Sequence, residues 1–268
     1  MKKVVFITGI SSGFGKSIAS MLAQNAYIVY GTCRKPCEHD SKVNVLLLDV
    51  TDLQSVEKNV NLVLEKEGRI DILINNAGMH TGGAAEVIPF DEMKLQMETN
   101  FFGFMNTIRS ILPAMRKQGS GRILNVSSIG GLMGLPFQSY YSASKFAIEG
   151  VSEALRMELR AFNIKVILIN PGDFHTHNTQ NRLNHSTSDT IDAYKDQFQK
   201  TIDIIEKDET KGWAPEILAR KIVKILEKKN PARRYVIASF EQKLAVILKR
   251  IMPGCWFDSI LRGHYGIK

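Results

Sequence analysis

Cysteine is scarce in this chain. Cys33, Cys37 and Cys255 are the only thiols in 268 residues, too few and too oddly numbered for a disulfide framework, and no Cys/His set has the spacing of a zinc site. Cys33 and Cys37, a CxxxC pair, match no known redox spacing. A reducing, cytoplasmic setting is the expectation. Long apolar runs are also missing, and none approaches the roughly 18 residues that a membrane span requires. The opening MKKVVFITGI has a basic start and a short apolar run, but no small-residue cleavage site follows before the glycines, so it reads as a buried first strand. Low-complexity segments and short repeats are absent too. The composition, 44% hydrophobic and 23% charged, is that of a globular chain, and the length fits one domain over residues 1–268.

Acidic residues are sparse in one region only. The net charge is +8, and beyond Ala214 there are 12 basic residues against 4 acidic ones, which accounts for the whole excess. Such a segment could meet nucleic acid. It carries no binding motif for that and interleaves its charges with apolar helix positions, so no nucleic-acid partner is expected, and an anionic membrane surface or a solvated face fits better.

Near-continuous apolar runs recur. KVVFIT, YIVYGT, VNVLLLD, DILINN, GRILNVSS, IKVILIN and RYVIAS read as seven strands separated by helical patterns, the signature of a parallel sheet covered on both faces. Right-handed crossovers make it doubly wound, with ligands bound beyond the carboxyl ends of the strands. A polar stretch over about 173–212 interrupts the pattern and reads as a substrate lid.

Two phosphate loops overlap in TGISSGFGKS, Thr8 to Ser17. A triphosphatase loop needs four residues between its first glycine and Gly-Lys-Ser, and here there are five. The apolar run ending at Asp49 imitates that fold's magnesium-binding acid, yet the spacing is wrong. The dinucleotide reading needs one glycine for the turn, another for close phosphate approach, and a helix N-terminus aimed at the pyrophosphate. Gly9, Gly13 and Gly15 supply these, with Ser11, Ser12 and Phe14 between them.

The spacing GxxxGxG resembles the cofactor loop of the short-chain dehydrogenase/reductase family, and the resemblance continues along the chain. Asn75-Asn76-Ala77-Gly78 is similar to the family's NNAG, Asn100 stands in a TN-F context, Tyr141 and Lys145 match YxxxK, and Asn170-Pro171-Gly172 match the turn after the sixth strand. YxxxK alone is a weak signal; the ordered set over residues 3 to about 176 is a strong one. The resemblance implies a Rossmann-type, doubly wound parallel seven-stranded sheet with helices on both faces, and an oxidoreductase acting on CH–OH groups.

Tyr141 and Lys145, four apart on a helix, can reach one reacting centre. An ammonium beside a phenol favours the phenolate and suits Tyr141 to proton exchange. Ser128 can hydrogen-bond the substrate oxygen as charge develops. The family's serine–tyrosine offset selects Ser128 over Ser127 and Tyr141 over Tyr140. The resemblance further implies that Lys145 binds the nicotinamide ribose, that Asn100 holds a relay water, and that Asp49 and Val50 meet the adenine. By the same resemblance, Thr176 touches the carboxamide.

The second strand ends YGTCRK, with Cys33 where an NAD-type member carries an acid and Arg34 after it, so NADP(H) is expected, Lys35 assisting. Asp173, His175 and His177 form an isolated DxHxH with no further ligands, and no metal is expected. From Phe240 to Met252, Phe240, Leu244, Ile247, Leu248, Ile251 and Met252 share one helical face, and Trp256, Phe257, Ile260 and Leu261 continue it. This basic amphipathic segment, about 240–268, either packs on the core or a second subunit, or serves as an interfacial helix or pocket cover for a lipophilic substrate. Such tails resemble those of hydroxysteroid-dehydrogenase-like and ketosphinganine-reductase-like members. The expected activity is therefore ketone–alcohol interconversion on a hydrophobic steroid or long-chain lipid. The rivals are a β-ketoacyl carrier reductase, whose usual basic residue before the second loop glycine is replaced by Ser12, and a non-catalytic NADP(H) sensor, which has no need of Ser128, Tyr141 and Lys145.

Overall fold

Each apolar run becomes a strand in the computed structural model, which describes residues 2–176, 183–184 and 192–267. In chain order the strands are β1 (Val4–Thr8), β2 (Ile28–Cys33), β3 (Val43–Leu47), β4 (Ile72–Asn75), β5 (Thr81–Gly82), β6 (Gly121–Val126), β7 (Ile164–Pro171), β8 (Leu183–Asn184) and β9 (Arg234–Ile237). β5 and β8 pair only with each other, and the other seven form one sheet in the order β3-β2-β1-β4-β6-β7-β9. All of its pairings are parallel.

The helices are α1 (Gly13–Gln24), α2 (Leu53–Glu67), α3 (Phe90–Met97), α4 (Gly103–Gln118), α5 (Ser139–Glu158), α6 (Lys195–Lys211), α7 (Pro215–Glu227), α8 (Phe240–Ile251) and α9 (Gly254–His264). Strand alternation sorts the core into two layers. Val5 and Ile7 pack with Ile18 and Leu22 of α1 and Leu218, Ile222 and Leu226 of α7. Val4 and Phe6 pack with Val56 and Val60 of α2, Ile108 and Ile111 of α4, and Leu155 of α5. Both faces of the inner strands are thus dry, which is why these are apolar throughout, whereas the edge strand β3 alternates and leaves Val45 and Leu47 exposed.

The chain lays β1, β2 and β3 to one side, then returns to place β4 on the other flank of β1. That reversal opens a crevice at the carboxyl ends of β1 and β4. Helices α3 and α4 are continuous through a π-turn at Glu98–Phe102, a local widening often found near functional sites. A separate cluster joins the C-terminal helices to the sheet end: Val246 of α8 and Phe257 of α9 are buried with Ile129, Met133 and Ala238.

Candidate active site

Thr8 and Gly9 end β1 where the crevice begins. Gly9 has φ +73°, and a Cβ there would lie 2.7 Å from the Ala77 Cα, so both the left-handed turn and the close approach demand glycine. At Gly15 a Cβ would fall 1.9 Å from the Gly9 carbonyl oxygen, which lets α1 start directly beneath the loop. The Thr8 hydroxyl accepts from the Asn76 and Ala77 amides at 3.0 Å each. The Asn76 side-chain amide donates to the carbonyls of Thr8 and Gly9, at 3.0 and 2.9 Å. The glycine loop and the NNAG segment are one hydrogen-bonded unit.

Ser12 precedes α1 with no side-chain cap, and the first turn carries no acid. Its backbone N–H groups and positive dipole end face the crevice, the arrangement that holds a pyrophosphate. Arg34 is exposed at the end of β2, and the Asp49 carboxylate accepts from the Thr51 amide and hydroxyl at 2.9 and 2.8 Å. Glycines leaving room at the loop, an unspent helix N-terminus and a guanidinium fit a nicotinamide dinucleotide. A cavity of about 1080 Å³ runs along this end of the sheet, and every predicted site residue lines it except Gly15, Lys35 and Asn100. Gly15 is buried under the loop. Thr176 lies over Gly13, whose added Cβ would sit 3.5 Å from the threonine Cβ.

Two of the candidate reacting groups converge at Gly130, where a Cβ would approach Tyr141 Cε1 at 3.3 Å and Ser128 Oγ at 3.5 Å. The absence of a side chain lets the tyrosine ring and the serine hydroxyl share one corner. Ser128 Oγ accepts from the Gly130 amide at 3.0 Å, so its own proton points elsewhere and can be donated to a substrate oxygen. Lys145 is buried and its Nζ donates to the Val126 carbonyl at 3.0 Å. That Nζ also lies 5.7 Å from the centroid of the Tyr141 ring. Burial pulls the Lys145 pKa down to about 8, and the Glu149 carboxylate one turn along partly opposes it.

Asn100 sits in the π-turn with its side chain fully used. Oδ1 accepts from the Met79 amide at 2.8 Å, and Nδ2 donates to the Met79 carbonyl and to Ser144 Oγ, both at 3.0 Å. It ties the NNAG segment to α5 between Tyr141 and Lys145. Tyr140, the alternative tyrosine, turns away and donates to the Ala85 carbonyl at 3.0 Å. Asp173 accepts from Gln242, and His175 Nδ1 is 3.2 Å from the Thr210 carbonyl; His177 and parts of the expected lid, 177–182 and 185–191, lie outside the described residues.

Some residues of the candidate site, His80 and Glu149 among them, were not foreseen, while others named only for a turn or a helix face join it. His80 stacks on Tyr141 with ring centroids 4.0 Å apart and an interplanar angle of 21°; its place two residues beyond NNAG, in the loop that follows β4, is the signal that could have found it. Asn170 donates to the Ser128 carbonyl at 3.0 Å and to Glu149 at 2.6 Å, and Glu149 pairs with Arg234 at 2.5 Å. This buried network anchors the serine to β9. Beyond the tyrosine, the cavity wall is apolar, built from Met133, Leu135, Ile205, Ala245, Phe257 and Leu261, with Asp208 and Glu209 of α6 adding carboxylates.

A glycine loop at the switch point and a serine, tyrosine and lysine at one end of a doubly wound sheet define a class of dinucleotide oxidoreductases. The family model for short chain dehydrogenases matches residues 3–187, and the chain belongs to that family, whose members act on CH–OH groups and ketones. It is 46% identical over 266 residues, 99% of each chain, to the 3-ketodihydrosphingosine reductase of Bacteroides thetaiotaomicron. Among solved structures it is similar to a short-chain dehydrogenase from Streptomyces avermitilis, with TM-score 0.80, 29% identity and 98% of each chain covered. It is also similar to ElxO with NADP bound, with TM-score 0.72 and 27% identity, over 89% of this chain and 97% of that one.

Proposed function

We propose that this protein is an NADPH-dependent reductase of a long-chain amino ketone, converting a 3-ketodihydrosphingosine-type substrate to its secondary alcohol. The observation that carries the reading is that one cavity is lined both by Ser128, Tyr141 and Lys145 and by apolar residues of α6, α8 and α9, namely Ile205, Ala245, Phe257 and Leu261. The 46% identity over 99% of the length of a reductase of that substrate supports it, and Glu209, with Asp208 that also faces His264 at 3.3 Å, would supply the charge an ammonium group meets. Arg34, with Cys33 in place of an acid, favours a 2′-phosphate.

When bound, the nicotinamide supplies a hydride to the carbonyl carbon. The protein's own residues manage the oxygen. Ser128 donates a hydrogen bond to it as negative charge grows, and Tyr141 delivers the proton. Lys145, in its ammonium form, stabilises the phenolate that remains, and His80 keeps the phenol ring in its stacked orientation. Asn100, its side chain spent on Met79 and Ser144, braces α5 as a positioning residue. Thr8, Asn76 and Gly15 keep the loop in shape for the pyrophosphate, Thr176 covers the carboxamide, and Asp49 and Val50 take the adenine.

The test is NADPH oxidation with 3-ketodihydrosphingosine, a steroid ketone and a carrier-bound β-ketoacyl chain, using wild type and Tyr141→Phe. Turnover of the amino ketone that falls by about 10²–10⁴ in the mutant, with NADPH affinity retained, is expected. Preference for the carrier-bound chain, or full activity in Tyr141→Phe, overturns the reading. For the cofactor, Arg34→Asp should weaken NADPH by about tenfold or more while sparing NADH, as loss of a charge-assisted hydrogen bond requires; equal weakening of both removes Arg34 from the 2′-phosphate.

A further inference from the structure

The apolar stripe of α8 faces outward. Phe240 is 76% exposed, Leu244 42%, Ile247 54% and Ile251 71%, and on α9 Trp256 is 64% and Ile260 49% exposed. Their spacing on α8, i, i+4, i+7 and i+11, is that of one helical face. The two helices hold to the sheet by other residues, Val246 and Phe257, which are 5% and 1% exposed. Scattered exposed apolar side chains are ordinary, but six large ones on two consecutive helices are a surface meant to be covered.

The charges around the stripe say by what. Lys243 neighbours Phe240 and Ile247, and Arg250 neighbours Ile247, each at helical i±3 or i±4 spacing; Arg262 adds an exposed cation to α9. Residues 240–268 hold only Glu241 and Asp258 as acids. A two-fold pairing of this face would bring two cationic rims together, because an isologous interface apposes one patch to itself. An anionic lipid surface meets both features at once: acyl chains take the stripe and headgroups take the cations. Among the described residues no helix is long and apolar enough to cross a membrane, so contact would be in the plane of the interface.

We propose that α8 and α9 dock the protein on an anionic bilayer, Trp256 lying at headgroup depth. The docking face adjoins the cavity: Ile260 is half exposed and also lines it, while Ala245, Phe257 and Leu261 on the inner sides of the same helices form its wall. The cavity mouth therefore borders the lipid surface. The docking itself rests on these surface residues and not on the identity of the substrate.

Flotation of the full chain with vesicles of equimolar phosphatidylcholine and phosphatidylglycerol tests it, with phosphatidylcholine alone as comparison. Wild type is expected to float with the anionic vesicles only, and its tryptophan emission to move to the blue, a shift that Trp256→Phe removes because Trp213 is packed against Phe174. Ile247→Glu with Ile251→Glu should abolish flotation while NADPH binding and melting temperature stay at wild-type values. Lys243→Gln with Arg250→Gln should weaken it on the order of thirtyfold, at about fivefold per cation. Failure of wild type to float at low ionic strength overturns the proposal. So does unchanged flotation of the double glutamate variant, or a self-association in sedimentation velocity that this variant breaks in a protein that never floats.

Discussion

Helices α7 and α8 are written in the same alphabet, yet the fold uses them in opposite ways. Both are basic and amphipathic, and only β9 and its turns separate them. In α7 the stripe of Leu218, Ile222, Val223, Ile225 and Leu226 is buried against the sheet. In α8 the corresponding stripe is outside, and only Val246 is buried. Lysine shows the same division: Lys145 lies in the core with a lowered pKa, whereas Lys243 borders an exposed stripe. Amphipathicity tells that a helix has two faces, and it does not tell which one the rest of the protein leaves a place for. α7 fills the slot beside α1 on the open face of the sheet. By the time α8 is reached, that slot is taken.

Ile222→Ala is the largest expected effect on this contrast, costing about 2–5 kcal/mol by leaving a cavity in the core, measured by urea denaturation; a loss below about 1 kcal/mol would mean that α7 is not held by its stripe. Next is Lys145 in the cofactor-free protein. Its folded pKa, about 8, is below the usual 10.5, so between those values the unfolded chain binds more protons and stability rises with pH. The penalty for keeping a buried ammonium is full below about 8 and gone above 10.5, roughly 3 kcal/mol in all. Lys145→Met should flatten that rise, and parallel pH profiles for mutant and wild type would contradict a buried charged lysine. Smallest are Phe240→Ala and Ile251→Ala, each within about 0.5 kcal/mol of wild type in denaturation. A cost like that of Ile222→Ala would show the α8 stripe to be packed after all.

Much of the site was legible because motif residues sit at strand ends, and strand ends follow directly from apolar runs. Ser128, Tyr141 and Lys145 could be placed in register on one strand and one helix, and the cavity receives all three. Cys33 and Arg34 were readable at the end of β2 for the same reason. Thr8 was read only as part of a glycine motif, but its hydroxyl joins two segments almost 70 residues apart in sequence. His80 was overlooked because a stack on Tyr141 depends on the approach of α5 to the end of β4, which no local pattern encodes. Asn100 was found by its context, while its bonds to Met79 and Ser144 depend on the π-turn that rotates it inward.

Reading the residues in order was enough for the period of each element, the order of strands and helices, the glycines that a dinucleotide loop needs, and the spacing of the candidate proton-transfer residues, since all of these are short-range consequences of side-chain size and backbone freedom. Tertiary structure alone decided which apolar faces were buried, how far the Lys145 charge was desolvated, and that α8 and α9 wall the cavity on one side while exposing an apolar row on the other. Those outcomes depend on which neighbours arrive from distant parts of the chain, and burial is a property of neighbours.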